Sequence, residues 1–560
     1  MSEVFDSVYD CFADSARRYA DRPFLAVPER LARDWDMARD RDVARDRGVA
    51  GDRDIPTEIT YREALDRILA LADDYAAAGY GVGDVVALAI DSRPQHVFHY
   101  LALNRLGACS VPVNTDLTAS EIAYVLGHSR AAGVMSLPEM AGTIRAALDQ
   151  TGNPASLAIH TPRDLKAPGV GHRRLACPMA PRERPAAILY TSGTTGHPKG
   201  CVLSNLYALL SGQNYGGRRG ALEVRAGEER ILNPLPLYHM NALTMTLGGV
   251  ISRGACFILP GRFSLSHWWA DVRTTRATRI HYLGIMIPAL LSRPAEEADR
   301  MHDVRVGVGA GVDPIAHRRF EDRFAIPLHE VWGMTETGRG LAVSEEPRQI
   351  DTRACGRPPE GFLARILRED GTEAADDEPG ELVVRAAGDD PRHGFFTGYL
   401  DDPEATAKAW EGDWFHTGDI CARSADGMFF FVDRRKNIVR RSGENISSAE
   451  VEAVLAESPL VAQAAVMGVP DAMRDEEVLA CIVLTAGTAA DEDTALSLMA
   501  HVNARLAYYK TPGWFHFVND LPTTGTQKTQ KHRIFPAGFD PSTPGLIDLR
   551  HLKKRRAVTA

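Results

Sequence analysis

Thr191, Ser192, Thr194 and Thr195 alternate with Gly193, Gly196 and Gly200 in the string Tyr190-Thr-Ser-Gly-Thr-Thr-Gly-His-Pro-Lys-Gly200, and Lys199 closes it with a single cation. Backbone N–H groups at glycine can approach an anion closely, the hydroxyls donate to it, and the ammonium neutralises it. The stretch can therefore cradle a phosphate. It is not the GxxxxGK[ST] nucleotide loop: counted from Gly193, Pro198 stands where the second glycine belongs, and Gly200 follows the lysine. Taken alone, an exposed Gly/Thr turn explains such a loop about as well.

Other stretches carry chemistry of the same kind. His329-Glu-Val-Trp-Gly-Met-Thr-Glu-Thr-Gly338 holds Glu336 in a Gly/Thr setting, and a carboxylate beside phosphates requires a cation between them. Trp414-Phe-His-Thr-Gly-Asp419 sets an acid after a tight turn, suited to accepting two hydroxyl protons of a sugar. Val306-Gly-Val-Gly-Ala-Gly-Val-Asp-Pro314 is a glycine-dense strand end, which on its own is a common turn. In Pro234-Leu-Pro-Leu-Tyr-His-Met-Asn241 the two prolines exclude a regular helix, so His239 sits on an irregular segment.

The full phosphate-loop string resembles the signature of the adenylate-forming superfamily, which contains acyl-CoA synthetases, firefly luciferase and peptide-synthetase adenylation domains. The second string, with Trp332 where tyrosine is usual, is similar to that family's second signature. The resemblance implies roles residue by residue. Thr191, Ser192, Gly193, Thr194, Thr195 and Lys199 would hold ATP phosphates; Glu336 would bind Mg²⁺ and Thr335 a phosphate oxygen. Gly309, Ala310 and Gly311 would pack on adenine, with Trp332 beside the nucleotide, and Asp419 and Arg434 would reach the ribose. His239 would gate the carboxylate pocket. Lys436 would be the hinge between two domains, and Gly443 would face coenzyme A. Lys528, in Leu521-Pro-Thr-Thr-Gly-Thr-Gln-Lys-Thr-Gln-Lys531, would bridge carboxylate and α-phosphate, although Gln527 replaces the glycine that usually precedes it. The wording Arg441-Ser-Gly-Glu-Asn445, with Val432-Asp-Arg-Arg435 before it, looks most like crotonobetaine/carnitine-CoA ligases.

These groups need elements to position them. Ala186–Tyr190 and Val85–Ile90 read as buried strands, Cys109–Val113 as another, and 4–20, 61–78 and 98–106 as helices. Such alternation predicts α/β layers with mainly parallel sheets, whose ligands lie at the carboxyl ends of strands. The expected fold is a large N-terminal domain (1–433) of layered α/β subdomains with a β-barrel-like part, and a small mobile α+β domain (434–540). Residues 32–54, a degenerate Arg-Asp repeat, read as a solvated helix or a mobile insertion, and 541–560 as a disordered basic tail ending in Lys553-Lys-Arg-Arg556. Trp268, Trp269 and 282–291 fit an acyl-pocket wall and plain core equally.

With 64 basic and 74 acidic residues the net charge is −10, which opposes a general role in nucleic-acid binding. The eight cysteines show no CxxC or paired spacing, so neither zinc nor a disulfide framework is suggested and a reducing cytoplasm fits. No run reaches the roughly 18 apolar residues of a membrane span. The resemblance implies an ATP-dependent carboxylic acid–CoA ligase using ATP, Mg²⁺ and coenzyme A on a small-molecule acid. Its rivals are an enzyme competent mainly in one half-reaction, one that loads a carrier protein, and a non-catalytic nucleotide-binding protein. The partner set also admits a homodimer. The identity of the acid is not readable.

Overall fold

Pro185–Thr191 is buried at five consecutive positions, the mark of a strand covered on both faces, and Val85–Ala89 is buried along its whole length. In the computed structural model these strands lie in a seven-stranded sheet, parallel from Pro185–Thr191 through Cys109–Pro112, Val85–Ala89 and Gly133–Ser136 to Ala158–His160. Lys199–Ser204 returns antiparallel to Pro185–Thr191, and Gly398–Tyr399 pairs on its far side. The structure describes residues 5–34, 57–151, 158–161, 165–169, 172–175, 177–191, 198–284, 286–312, 314–368, 370–434, 438–522, 531, 534–535 and 538–553.

A second, eight-stranded sheet is parallel through Val306–Ala310, Arg279–Leu283, Arg230–Leu232, Cys256–Ile258 and Pro23–Val27, with Leu328–Gly333 parallel beside Val306–Ala310. Gly340–Ala342 folds back on Leu328–Gly333 as an antiparallel edge, so Thr335 and Glu336 lie in the turn of a hairpin. The barrel-like part is a third sheet, antiparallel throughout, in which Trp414–Arg423 runs between Gly380–Ala386 and Phe429–Arg434. The packing that joins these layers is apolar and aromatic, with Phe12, Phe24 and Tyr61 in mutual ring contact at its centre.

A fourth sheet, from Ile438–Arg441 onward, packs with the helices Ser448–Ala456 and Glu492–Arg505 around its own core of Val439, Val451, Leu455 and Phe515. It meets the larger layers through several polar groups, with Leu117 also packed against its core. Lys510 donates to Glu121 and Glu450 at 2.8 and 2.9 Å, Asn114 Nδ2 donates to the Tyr509 hydroxyl at 3.0 Å, and Thr118 Oγ1 donates to the Arg505 carbonyl at 2.8 Å. Glu121 is also the N3 member of the capping box at Thr118, so one carboxylate stabilises a helix start and anchors the neighbouring unit.

One expectation is corrected. The stretch read as a basic tail, 541–560, is folded as far as Lys553: Leu546–Asp548 pairs with Trp514–Phe517, and the Lys553 ammonium is buried on Glu477, which Arg441 also meets at 2.9 Å. A buried carboxylate with two buried cations outweighs the exposure that a run of basic residues would otherwise favour. The charged repeat read as an insertion lies outside the described residues from 35 to 54, after the short helix Glu29–Asp34. We predict that Glu477→Leu, which strands Lys553 and Arg441, destabilises this unit by about 3–5 kcal/mol, read as a shifted denaturant midpoint.

Candidate active site

The carboxyl ends of the two parallel sheets face one cavity of about 1320 Å³, and the antiparallel sheet and the fourth sheet close its sides. Each wall contributes a charged or polar group. Thr191 and Lys199 stand at the ends of the strands Pro185–Thr191 and Lys199–Ser204, where register pairs them. The connection 192–197, with Ser192, Gly193, Thr194 and Thr195, lies outside the described residues. Trp332, Thr335 and Glu336 come from the hairpin of the eight-stranded sheet and Asp419 from the antiparallel sheet, all lining the same space.

Glu336 is buried, 6 % exposed, and accepts a hydrogen bond of 2.8 Å from the Tyr399 hydroxyl. The same ring carries the Lys199 ammonium 4.9 Å from its centroid, and Lys199 approaches Asp402 at 3.6 Å. Burial, and next the Glu336 charge, push the Tyr399 hydroxyl well above its usual range, so it stays a donor. Sequence reasoning missed Tyr399. Pairing of Gly398–Tyr399 with Val202 and Cys201 brings it to Lys199, and nothing in its local sequence signals that.

Asp419 is also buried, and Trp332 Nε1 donates to its Oδ2 at 2.8 Å. The indole thus supplies a donor from one sheet to an acid of another. Of the glycine-dense segment, Ala310 lines the cavity. Gly309 has a reason of its own to be glycine: an added Cβ would stand 2.3 Å from the Tyr282 carbonyl oxygen of the neighbouring strand. Gly311 has φ +80°, with open space around it, and its N–H donates to Glu330 at 2.6 Å. Glu330, pushed up to about 7 by burial, takes the Tyr282 hydroxyl as well.

His239 and Tyr238 border the cavity on the irregular segment before the π-helix Asn241–Thr246. Tyr238 donates to Glu444 at 3.2 Å, and His239 Nε2 lies 3.8 Å from the other Glu444 oxygen. Glu444 follows Gly443, which reaches into the cavity with φ +86°. A Cβ there would stand 2.3 Å from Leu283 Cδ1, so conformation and close approach both require glycine. Arg434 ends its strand opposite Asp419 in register, and its side chain lies outside the described residues, as do Lys436 and Lys528. Trp268 and Trp269 pack in the core, whereas Leu283, Met286 and Ala289 of the neighbouring segment line the cavity.

Among the described residues no three His, Cys, Asp or Glu side chains gather as a metal centre, and no helix is long and apolar enough to cross a membrane. A single buried carboxylate opposite a phosphate site fits Mg²⁺, which keeps waters and nucleotide oxygens as its other ligands.

Residues 32–400 match the model of the AMP-binding enzyme family, and 450–528 match that of the AMP-binding enzyme C-terminal domain. The chain belongs to that family. It is 31 % identical over 537 residues to a sulfoacetate–CoA ligase of Cupriavidus necator, covering 95 % of this chain and 98 % of the relative. It is 30 % identical over 491 residues to a crotonobetaine/carnitine–CoA ligase of Citrobacter koseri, covering 85 % and 93 %. Among solved structures, o-succinylbenzoate CoA synthetase from Bacillus subtilis, bound with a product analogue, superposes with a TM-score of 0.76 at 22 % identity over 94 % of this chain and 98 % of that one. The enzyme is an AMP-forming acid–thiol ligase with ATP, Mg²⁺ and coenzyme A as its cofactors and a small-molecule carboxylate as substrate. Because Trp332 serves Asp419 through its N–H, Trp332→Phe should raise KM for ATP about tenfold, the cost of one hydrogen bond to a charged group, with a smaller change in kcat in a pyrophosphate-release assay.

Proposed function

We propose that the family's two half-reactions run in this one cavity with the roles assigned above. The observation that carries the reading is the meeting of Lys199, Glu336 and Asp419, from three separate sheets, in a cavity that the Gly443 loop also enters. In the first step a substrate carboxylate oxygen attacks the α-phosphorus of ATP. The bond to the β-phosphate bridge breaks and pyrophosphate leaves. Lys199 and Thr191 bind the phosphates with the 192–195 loop, and Asp419 orients the ribose through its hydroxyls. Trp332 fixes Asp419, and Lys528 bridges the carboxylate and the α-phosphate. Glu336 would hold Mg²⁺, which when bound supplies charge neutralisation on phosphate oxygens. The chemistry needs alignment and placed charge more than covalent help.

In the second step the thiolate of coenzyme A attacks the acyl carbon, the bond to the phosphate oxygen breaks, and AMP leaves. Residues 1–433 would form the fixed part. The unit beyond would turn about Lys436, withdrawing Lys528 and presenting Gly443. The described arrangement, with Gly443 in the cavity and Glu444 on Tyr238, is the one suited to this second step. Coenzyme A is the acceptor in this reading, as it is for the sulfoacetate– and crotonobetaine/carnitine–CoA ligases that the chain resembles. All eight cysteines are free, in keeping with a cytoplasmic enzyme.

Carboxylic acids assayed for AMP release with and without coenzyme A test the whole reading. Release that needs both acid and coenzyme A supports it, and a well-folded sample that turns over none of them ends it. Lys528→Ala should slow adenylation on the order of 10²- to 10³-fold while sparing thioester formation from supplied acyl-adenylate. Equal loss of both steps would contradict the turning of the small unit.

A further inference from the structure

The helix Asn205–Gly216 follows the strand Lys199–Ser204, starting at the end of that strand away from Lys199. Ser204 caps its start by accepting from Tyr207 N, and the Tyr207 hydroxyl donates to the Thr335 carbonyl at 2.7 Å. At the other end the chain turns through Gly217 to Arg218, which lines the cavity. Its Nη2 donates to Asn214 Oδ1 and to the Gly340 carbonyl, each at 3.2 Å. Gly340 pairs with Gly333 in the hairpin that carries Thr335 and Glu336, so Arg218 is tied to the root of the element whose turn meets the phosphates.

Packing holds that root still. Gly212 meets Gly248 backbone to backbone, leaving 2.5 Å for a Cβ; Tyr215 lies where a Cβ on Gly249 would be; and Arg253 Nε donates to the Gly216 carbonyl at 2.8 Å.

The charges around the cavity single out Arg218. Lys199 has Asp402, Arg262 has Asp116, Arg441 and Arg474 share Glu477, and Lys408 is exposed to solvent. Among the described residues Arg218 has no carboxylate. Its partners are an amide oxygen and a carbonyl; among nearby titratable groups Tyr215 acts to raise its pKa, and the like charge of Arg279, itself directed at Glu229 and two carbonyls, to lower it. Burial accordingly pushes its pKa down to about 10. Its Nε and Nη1 groups donate to no described residue. Two of its three guanidinium nitrogens thus face the cavity without a described protein acceptor, and the planar fork matches two oxygens of a carboxylate or sulfonate. Met240, Met245 and Val331 line the same cavity without charge, so the rest of an acyl chain meets apolar wall.

We infer that the acid this enzyme activates carries a second anionic group, carboxylate or sulfonate, on its tail, and that Arg218 receives it. This rests on the ligase reading of the same cavity. Arg218 is then the residue that selects the substrate by its charge, while the reacting carboxylate lies toward Thr335.

The test pairs acids of matched length and shape: succinate with 4-methylpentanoate, glutarate with 5-methylhexanoate, and 3-sulfopropionate with 4,4-dimethylpentanoate. Pyrophosphate release gives kcat/KM, and calorimetry of each acid with AMP-saturated enzyme gives affinity without turnover. Wild-type enzyme should favour the charged member of at least one pair on the order of 10²-fold. The pair that responds separates a carboxylate from a sulfonate tail. Arg218→Met should abolish that preference by lowering kcat/KM and affinity for the charged acid far more than for its uncharged partner, and Arg218→Lys should restore part of it. No charge preference in any pair, or equal loss on both members in Arg218→Met, overturns the assignment. Turnover of uncharged acids alone would leave the ligase reading standing and remove Arg218 from it. If no acid releases pyrophosphate the ligase reading falls, and the calorimetric preference and its loss in Arg218→Met then decide the role of Arg218.

Discussion

One aromatic ring lies between the two opposite charges of the phosphate site. Tyr399 gives its hydroxyl to Glu336 and its face to Lys199, so anion and cation are held through a shared side chain. Two opposite charges placed directly together in a low-dielectric wall would satisfy each other and leave little field for a substrate. Held through Tyr399, the acid can serve a metal and the ammonium can serve phosphate. A protonated phenol is required for this, and burial keeps it so.

The three larger sheets matter because none can supply this set alone. Lys199 ends a strand of the seven-stranded sheet, Glu336 sits in the hairpin of the eight-stranded sheet, and Asp419 belongs to the antiparallel one. The Trp332–Asp419 hydrogen bond links the last two, and the Gly398–Tyr399 strand carries the residue that joins the first two. The site is therefore a property of how the layers meet. A shift of one layer by an ångström would break hydrogen bonds of 2.8 Å before it disturbed any core.

How far the sequence discloses this depends on whether a group's role is local. The phosphate-loop reading of 190–200 needs only glycine, hydroxyl and lysine within a few residues, so it can be made from the string itself, although 192–197 lie outside the described residues; the parallel layers are plain from strands such as Val85–Ala89, buried at every position. Tyr399 and Arg218 belong to no such string. Each acquires its role from strand register or helix packing, across 63 residues to Glu336 for Tyr399 and 122 to Gly340 for Arg218. Gly309 is of the same kind: the packing of its missing side chain against Tyr282 on the next strand cannot be read from its own string. The terminal basic cluster misleads because charge suggests exposure, and only the fold reveals that Glu477 awaits Lys553 inside.

The meeting of the small unit with the large layers has a different character from the rest. Apart from Gly443 against Leu283 and Leu117 against the small unit's core, the named contacts are Lys510 with Glu121, Asn114 with Tyr509, Thr118 with a carbonyl, and Tyr238 with Glu444. Water can replace polar contacts of this kind when they part, whereas an apolar face would lose its burial outright. Glu121 illustrates the economy. With one oxygen it keeps the Thr118 helix start whether or not Lys510 is present, and with the other it accepts Lys510 on closure. An interface in which each side retains its own local structure after separation is the kind a two-step enzyme needs, since the same cavity must first admit ATP and acid and then coenzyme A.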